Sequence, residues 1–276
     1  MEHEEDYFVG GKNNKIFYQS WIPENPKGII QIIHGGVEHV GRYKHLVKFL
    51  IENDFAVYGN DHRGHGKSEG RRNHIMNHDE FVVDCYTLTK IIKKNHKELP
   101  IFIVGHSMGS FIAQRYTIKH QSEITGLVLS GSGIEMPPLP KALQILARIM
   151  YKIYPIFVGA AGIEPEDLST DPESVEDYMN DPLINYKKAT AGYGICMVDH
   201  PKYVKGELAS IKTPVLIQKG KLDTMIIGIE DLISELKEAK VTTKIYENYK
   251  HEVYTETKEK RDQAFSDLVV WINSII

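Results

Sequence analysis

The chain has 276 residues, of which 42% are hydrophobic and 25% are charged. This is an ordinary composition for a globular protein, and it excludes a chain that is disordered along most of its length. The formal net charge of -4 and the pI near 6.4 disfavour a basic nucleic-acid-binding surface, so no nucleic-acid partner is expected.

The first third of the chain alternates predicted strands and helices. Residues 7–9 and 15–22 flank the turn residues GGKNN, which predicts a hairpin. The apolar run GIIQIIH predicts a buried strand that ends in HGGVEH, the spacing over residues 42–53 predicts a helix, and FAVYGND predicts the next strand. A glycine-rich loop, DHRGHGKSEG, leads to a predicted helix over residues 79–96 and the strand IFIV.

The second part of the chain interrupts this alternation and then resumes it. A predicted helix over residues 110–120 precedes the strand TGLVLSG, and residues 134–210 form a mostly helical region without a clear strand. TPVLIQ and VTTKIYE then predict strands, with helices over residues 229–239 and 258–276. This order predicts an α/β fold with a mostly parallel central sheet flanked by helices. Residues 1–133 and 211–276 are its expected core, and residues 134–210 are an expected helical cap.

The segment IFIVGHSMGS places a serine between two glycines where a predicted strand ends and a helix begins. This is the pattern of a nucleophile elbow, a turn so sharp that side chains at Gly105 and Gly109 would collide with nearby backbone. In parallel sheets, functional groups gather at the carboxyl ends of the strands. The pattern therefore predicts that Ser107 is a nucleophile rather than an ordinary turn residue.

A serine hydroxyl needs a neighbouring base, and the base needs an orienting acid. With an elbow of this type the chain order is Ser, then Asp or Glu, then His, each after a strand. Asp223 follows the strand PVLIQ and His251 follows the strand TKIYE, which makes them the predicted acid and base. Asp199 and Glu252 are competing acids, but the first lies in the insertion and the second is adjacent to the base.

A tetrahedral intermediate needs donors for its oxyanion. The backbone N–H groups of Met108, which follows the nucleophile, and of Gly36, in the HGG turn, are the candidates. An ordinary tight turn would need the same glycines. Glu38 and Arg42 are expected to pair and to help bind a hydroxyl-rich head group.

No cofactor or metal is expected. Residues 61–66, DHRGHG, contain Asp and His but no further ligand at a metal-binding spacing, so they are interpreted as a rigid turn near the site. Cys85 and Cys196 lack CxxC spacing, which favours buried free thiols. The acidic beginning, MEHEEDYFVGG, does not resemble a secretory signal, so we expect a cytoplasmic protein, at most peripheral at membranes.

The stretch LPKALQILARIMYKIYPIF predicts an amphipathic helix with a narrow polar stripe, formed by Lys141, Gln144, Arg148 and Lys152. The other positions are apolar: Leu139, Leu143, Ile145, Leu146, Ile149, Met150 and Ile153. Such a helix is able to lie in a membrane interface and take up an amphiphilic substrate. Packing of its apolar face on the protein's own core is the other interpretation, and the sequence leaves both open.

In chain order, HGGVEHVGRY, NDHRGHGKSEG, GHSMGS, DPLI, GKLD and YKHEVYTE resemble the monoacylglycerol lipase and lysophospholipase group of the α/β-hydrolase superfamily. The resemblance covers nearly the whole chain. It implies hydrolysis of a glycerol monoester to fatty acid and glycerol, with Ser107, Asp223 and His251 as the triad. It also implies that the cap covers an acyl-binding tunnel.

Three residues depart from the family's pattern: Val37, Ser110 and Tyr254. They bear on head-group selectivity more than on catalysis. Lysophospholipids and short-chain or aromatic esters remain alternative substrates of the same mechanism. A capped peptidase is less well supported, because the cap offers no evident acidic residue to bind a peptide amine. A noncatalytic ligand-binding relative is also less well supported, because every triad position is filled. The sequence leaves the oligomeric state open.

Overall fold

A computed structural model, which describes residues 1–138 and 140–276, places eight strands in one sheet. In chain order they are β1 (Glu2–Val9), β2 (Lys15–Ile22), β3 (Gly28–Ile33), β4 (Phe55–Asn60), β5 (Ile101–His106), β6 (Gly126–Ser130), β9 (Val215–Gly220) and β10 (Val241–Tyr246). Their order across the sheet is β1, β2, β4, β3, β5, β6, β9, β10. The pairs from β4 to β10 are parallel and the two edge pairs made by β2 are antiparallel, which confirms the predicted mostly parallel sheet.

Helices cover both faces of this sheet. They are α1 (Lys44–Glu52), α2 (Asp79–Asn95), α3 (Met108–His120), α8 (Ile229–Glu235) and α9 (Lys258–Asn273). Alternate side chains of β3 serve opposite faces: Ile30 and Ile32 pack with α1 and α9, whereas Ile33 packs with α2 and α3. A strand buried on both faces needs a continuous apolar run, which explains the segment GIIQII.

Several strands and helices begin or end at residues other than the expected ones. β1 begins at Glu2 rather than at residue 7, because its exposed acidic residues pair through their backbone with β2 despite low strand propensity. Residues 40–43 form a 3-10 turn, so α1 starts at Lys44 and not at residue 42. Helix α3 begins at Met108, two residues earlier than expected, and α8 ends at Glu235, four residues earlier.

Between β6 and β9 the described residues form four α-helices and two short strands: α4 (Lys141–Ile153), β7 (Val158–Ala160), α5 (Pro172–Asn180), β8 (Lys188–Thr190), α6 (Ala191–Val198) and α7 (Pro201–Val204). β7 and β8 pair antiparallel, with Gly159 opposite Ala189. The expectation of no strand in this region was therefore wrong. Strands of three residues are too short to show an alternating pattern. Leu139, assigned to the amphipathic helix, lies outside the described residues.

Both cysteines have the predicted state. Cys85 and Cys196 are buried and form no disulfide. Burial raises the pKa of both thiols, so they stay protonated and inert at neutral pH. Within the described ranges, every helix is too short or too polar to cross a bilayer.

Candidate active site

Ser107 stands at the turn between β5 and α3, at the carboxyl edge of the sheet. Its φ of 53° lies in the left-handed region, a strained conformation for a residue with a side chain. A Cβ at Gly109 would overlap the carbonyl oxygen of Ile33, and one at Gly105 would lie 2.7 Å from Cβ of Ala113. The two glycines therefore allow α3 to pack closely against β3 and β5, which makes the tight turn that carries Ser107 possible.

The structure brings Asp223 and His251 together on the loops that follow β9 and β10. Nδ1 of His251 lies 3.0 Å from Oδ1 of Asp223, and both side chains are at most 1% exposed. An ionised carboxylate only accepts hydrogen bonds, so Nδ1 carries the proton. Nε2 is then the nitrogen left to accept a proton, and it has no hydrogen-bond partner among the described residues. His251 lines the same cavity as Ser107.

Asp223 has two hydrogen-bond partners besides the expected His251. Oδ1 also accepts from the backbone N–H of Met225 at 2.9 Å, and Oδ2 accepts from Nζ of Lys219 at 2.6 Å. Burial of the Asp223 carboxyl opposes its ionisation, but His251 and Lys219 together hold its pKa well below the usual range. The sequence reasoning missed Lys219, whose signal is a lysine next to the end of an otherwise buried strand.

The two competing acids are bound elsewhere. Asp199 accepts from Arg148 at 2.8 and 3.2 Å and from Lys202 at 2.7 Å. Glu252 binds the Arg42 guanidinium through both oxygens, at 2.7 and 2.8 Å. Neither carboxylate is within hydrogen-bond distance of His251, which leaves Asp223 as its acidic partner among the described residues.

The two candidate oxyanion donors lie beside the serine. Met108 is the first residue of α3, so its N–H has no acceptor within the helix. The turn that holds Gly36 is fixed by Val37, whose φ of 59° is unusual for a β-branched residue. The Tyr193 hydroxyl lies against Gly36, where a side chain at position 36 would overlap it. Sequence reasoning did not find Tyr193, because only the folded chain brings α6 to this turn.

A buried network of charges forms the polar wall of the site. The predicted Glu38–Arg42 pair is present at 2.7 Å, and Glu38 also accepts from the Gly35 N–H and the Tyr43 hydroxyl. Burial raises the pKa of Glu38 despite these donors. Burial also opposes ionisation of Glu252, but the bidentate Arg42 lowers its pKa to about 2.

Of the two residues predicted to bind the head group, only Glu38 lines the cavity. Glu38 and Glu252 line it, whereas Arg42 lies behind them in an adjoining small cavity. Of the three departures from the family pattern, Tyr254 donates to Gln218 at 2.6 Å and Ser110 bonds the carbonyl of Ser107 at 2.7 Å. Their hydroxyls are thus bound within the protein.

The cavity is mostly apolar and about 410 Å³ in volume. Ser107, His251 and Gly36 are among its lining residues. Most of its apolar walls come from the chain between β6 and β9: Leu143, Leu146, Met150, Phe157, Ile195 and Met197. Pockets with apolar walls and a few converging polar groups are typical of binding sites for small amphiphilic molecules.

The histidine-rich loop at residues 61–66 has structural contacts. Asp61 accepts from the N–H groups of Val40 at 2.9 Å and Lys67 at 2.8 Å, and the rings of His62 and His34 are 4.1 Å apart. Burial holds the pKa of both histidines well below the usual range, so they are neutral. Within the residues that the structure describes, no group of three His, Cys, Asp or Glu could hold a metal ion.

Helix α4 presents part of its apolar surface outward. Ile145, Ile149 and Ile153 are 61%, 47% and 76% exposed, and no residue of the helix is buried. Its other side lines the cavity with the leucines and methionine named above and with two residues of the polar stripe, Gln144 and Arg148, the second of which is bound to Asp199. The apolar residues of the helix are therefore divided between the cavity and the outer surface.

Comparison with known proteins gives a consistent family. The sequence model for the family described as serine aminopeptidase, S33 matches residues 24–258, which is most of the chain. The chain is also 31% identical to a monoacylglycerol lipase of Mycolicibacterium smegmatis, over 98% of this chain and 97% of that protein.

Two solved structures are similar over the full length. A monoacylglycerol lipase from Paleococcus ferrophilus is 27% identical with a TM-score of 0.83, and covers 100% of both chains. A thermostable carboxyl esterase from Bacillus coagulans, solved with glycerol, is 25% identical with a TM-score of 0.88, over 100% of this chain and 99% of that one. These likenesses confirm the α/β-hydrolase fold and the resemblance found in the sequence motifs.

Proposed function

The chain belongs to the serine aminopeptidase S33 family of α/β-hydrolases, and from this premise we propose that it is a serine carboxylester hydrolase that releases fatty acid and glycerol from monoacylglycerols. The observation that carries the proposal is the mostly apolar cavity of about 410 Å³ that Ser107 and His251 both line. An acyl chain fits its walls, and the ester then lies beside the nucleophile. The relatives described as monoacylglycerol lipases support the same substrate class.

The proposed mechanism has two halves. Oγ of Ser107 attacks the ester carbonyl while Nε2 of His251 takes its proton, and the N–H groups of Gly36 and Met108 stabilise the oxyanion. The ester C–O bond breaks, glycerol leaves with the proton from His251, and the acyl group stays on Ser107. Water, deprotonated by His251, then attacks the acyl carbonyl, the bond to Oγ of Ser107 breaks, Oγ takes the proton back from His251, and the fatty acid is released. Asp223 keeps Nδ1 protonated throughout, through the 3.0 Å contact.

The charges at the polar end favour a neutral head group over a phosphate. One guanidinium, Arg42, serves two carboxylates, Glu38 and Glu252, so this wall carries no net positive charge. Arg148 lines the cavity farther out, but Asp199 holds it. Phosphates are usually bound by free arginine or lysine side chains. Lysophospholipids are therefore the weaker candidates, and glycerol hydroxyls suit the acceptor oxygens of Glu38.

A peptidase activity, which the family's description suggests, has less support. An aminopeptidase needs an acid to bind the substrate's amino group. Glu38 and Glu252 are the carboxylates among the described lining residues, and both are already bound by Arg42. The walls around the serine are otherwise apolar, which suits an acyl chain better than a peptide.

The mechanism is tested by labelling with a fluorophosphonate probe, which reacts with activated serines. We expect the wild-type chain to label and Ser107→Ala to be unlabelled and at least about a thousandfold less active. Ser110→Ala is the matched control, since it removes a hydroxyl three residues away and should still label. Equal labelling of Ser107→Ala would contradict the mechanism, and an unlabelled wild type would favour the noncatalytic relative.

The substrate is tested with a hydrolysis panel. Monoacylglycerols of several chain lengths are compared with lysophosphatidylcholine, diacylglycerol and p-nitrophenyl esters. We expect the highest kcat/KM for a long-chain monoacylglycerol. A lysophospholipid rate far above every monoacylglycerol rate would overturn the substrate assignment and leave the serine mechanism intact.

We further propose that the outward face of α4 contacts lipid surfaces. Exposed isoleucines at positions 145, 149 and 153 lie on the helix whose other side lines the cavity, and the exposed Lys141 and Lys152 are at its two ends. Apolar side chains flanked by lysines suit the boundary between acyl chains and head groups. A monoacylglycerol could pass from such a surface into the cavity with little exposure to water.

A further inference from the structure

Lys219 is a lysine almost fully removed from solvent, beside the proposed triad. It precedes the last residue of β9 and is 8% exposed. Its Nζ donates to Oδ2 of Asp223 at 2.6 Å and to the carbonyl oxygen of Ile226 at 2.7 Å. Lysines are rarely buried without a charged partner, so this ammonium and the aspartate depend on each other.

The contact divides the two oxygens of the aspartate between two side-chain donors. Oδ2 belongs to Lys219, whereas Oδ1 faces Nδ1 of His251 at 3.0 Å. Rotation of the carboxylate about its Cβ–Cγ bond would break both contacts together with the one to the Met225 N–H. The lysine thus acts as a second anchor that keeps one oxygen directed at the imidazole.

The ammonium also changes the charge that the imidazole meets. An unpaired aspartate strongly favours protonated imidazole, whereas a Lys–Asp pair is neutral overall and favours it less. Of the other groups near His251, Glu252 is neutralised by Arg42, and burial lowers the pKa of His106 to about 3, so that its ring, 5.0 Å away, is neutral. Glu38 shares the same arginine.

We propose that Lys219 is a positioning residue that aligns Asp223 with His251 and offsets the carboxylate charge that the imidazole faces. The inference rests on the proposed function, in which His251 is the general base. Since only the free base can accept the serine proton, Lys219 extends activity toward low pH. It acts through Asp223 and does not line the cavity.

The test is the pH profile of kcat/KM for a p-nitrophenyl ester, measured for wild type, Lys219→Met and Lys219→Gln. Without the ammonium, the imidazole faces an unpaired carboxylate, so the acid-side midpoint of activity should rise by about half a unit to one unit in both variants. The glutamine can still donate a hydrogen bond, so its activity on the plateau should fall less than that of the methionine. It also provides a variant that folds if the methionine does not.

Lys221→Met is the matched control, because this lysine lies two residues away, is 59% exposed and pairs with Glu247. Its midpoint should stay at the wild-type value. If both position-219 variants fold and keep the wild-type midpoint, the proposal is wrong, even where they are less stable. A wild type without esterase activity would instead overturn the proposed function, so the two failures are distinguishable.

Discussion

Single residues at the elbow determine whether this site can form at all. Ser107 occupies a strained backbone conformation, and the chain tolerates it because β5 and α3 hold the turn from both sides. The close approach of α3 to β3 depends on the missing side chain at Gly109, next to the carbonyl of Ile33. A single methyl group at this position therefore has consequences for both stability and activity.

We expect Gly109→Ala to be destabilised by about 2 to 4 kcal/mol and to lose most activity, because its methyl group displaces α3 and the Met108 N–H. Urea unfolding and ester hydrolysis measure the two effects. Gly194→Ala is the control: this glycine is also helical, but outside its own stretch of helix no atom of the described residues lies within 4 Å of the place that its methyl group would take. Alanine should therefore be neutral or stabilising by up to about 1 kcal/mol. Equal effects at both positions would contradict the packing argument.

At the scale of the element, α4 is an amphipathic helix with part of its apolar surface exposed. The helical spacing predicted the two faces but not their orientation, since an apolar stripe suits a protein core and a lipid surface equally well. In the structure its inner side is occupied by the cavity and by the Arg148–Asp199 pair. The outer side is thereby left apolar and exposed.

We expect Ile149→Glu to reduce binding to lipid vesicles, since it puts a charge on the outward face of α4. Hydrolysis of monoacylglycerol presented in vesicles should fall several-fold, with little change for a water-soluble short-chain ester. Vesicle co-sedimentation measures the binding, and the two hydrolysis assays measure the activities. Val270→Glu, at a 68% exposed position on α9, is the control and should bind like wild type. Unchanged vesicle binding of Ile149→Glu would refute the lipid contact.

At the scale of the whole molecule, the fold buries an unusual set of neutral histidines: His34, His62, His65, His78, His106 and His200. Burial lowers the pKa of each, to about 4 for His65 and about 3 for His78 and His106. Below the ordinary histidine value the unfolded chain therefore binds more protons than the folded one. Stability is then lost as pH falls, by up to about 1.4 kcal/mol per pH unit for each histidine.

We expect the melting temperature to fall by about 10 °C or more between pH 7.5 and pH 5.5, because the unfolded histidines gain protons that the folded ones do not. Both ring nitrogens of His78 have no partner among the described residues, so His78→Phe should make this dependence shallower. His3→Gln, at an exposed position, should leave it unchanged. Thermal melts monitored by circular dichroism measure the melting temperature at each pH. If the melting temperature of His78→Phe depends on pH as steeply as that of the wild type, the histidine explanation is contradicted.

The sequence by itself determined the α/β order of elements, the elbow at Ser107 and the family, because these depend on local patterns: apolar runs, glycines at fixed offsets, and strands that end in polar loops. It also named Asp223 and His251, from their positions after consecutive strands. Only the tertiary structure decided the contacts between distant segments. The contact of Lys219 with Asp223, that of Arg42 with Glu252, and the orientation of α4 depend on which strands and helices pack side by side. Local spacing carries no information about such packing.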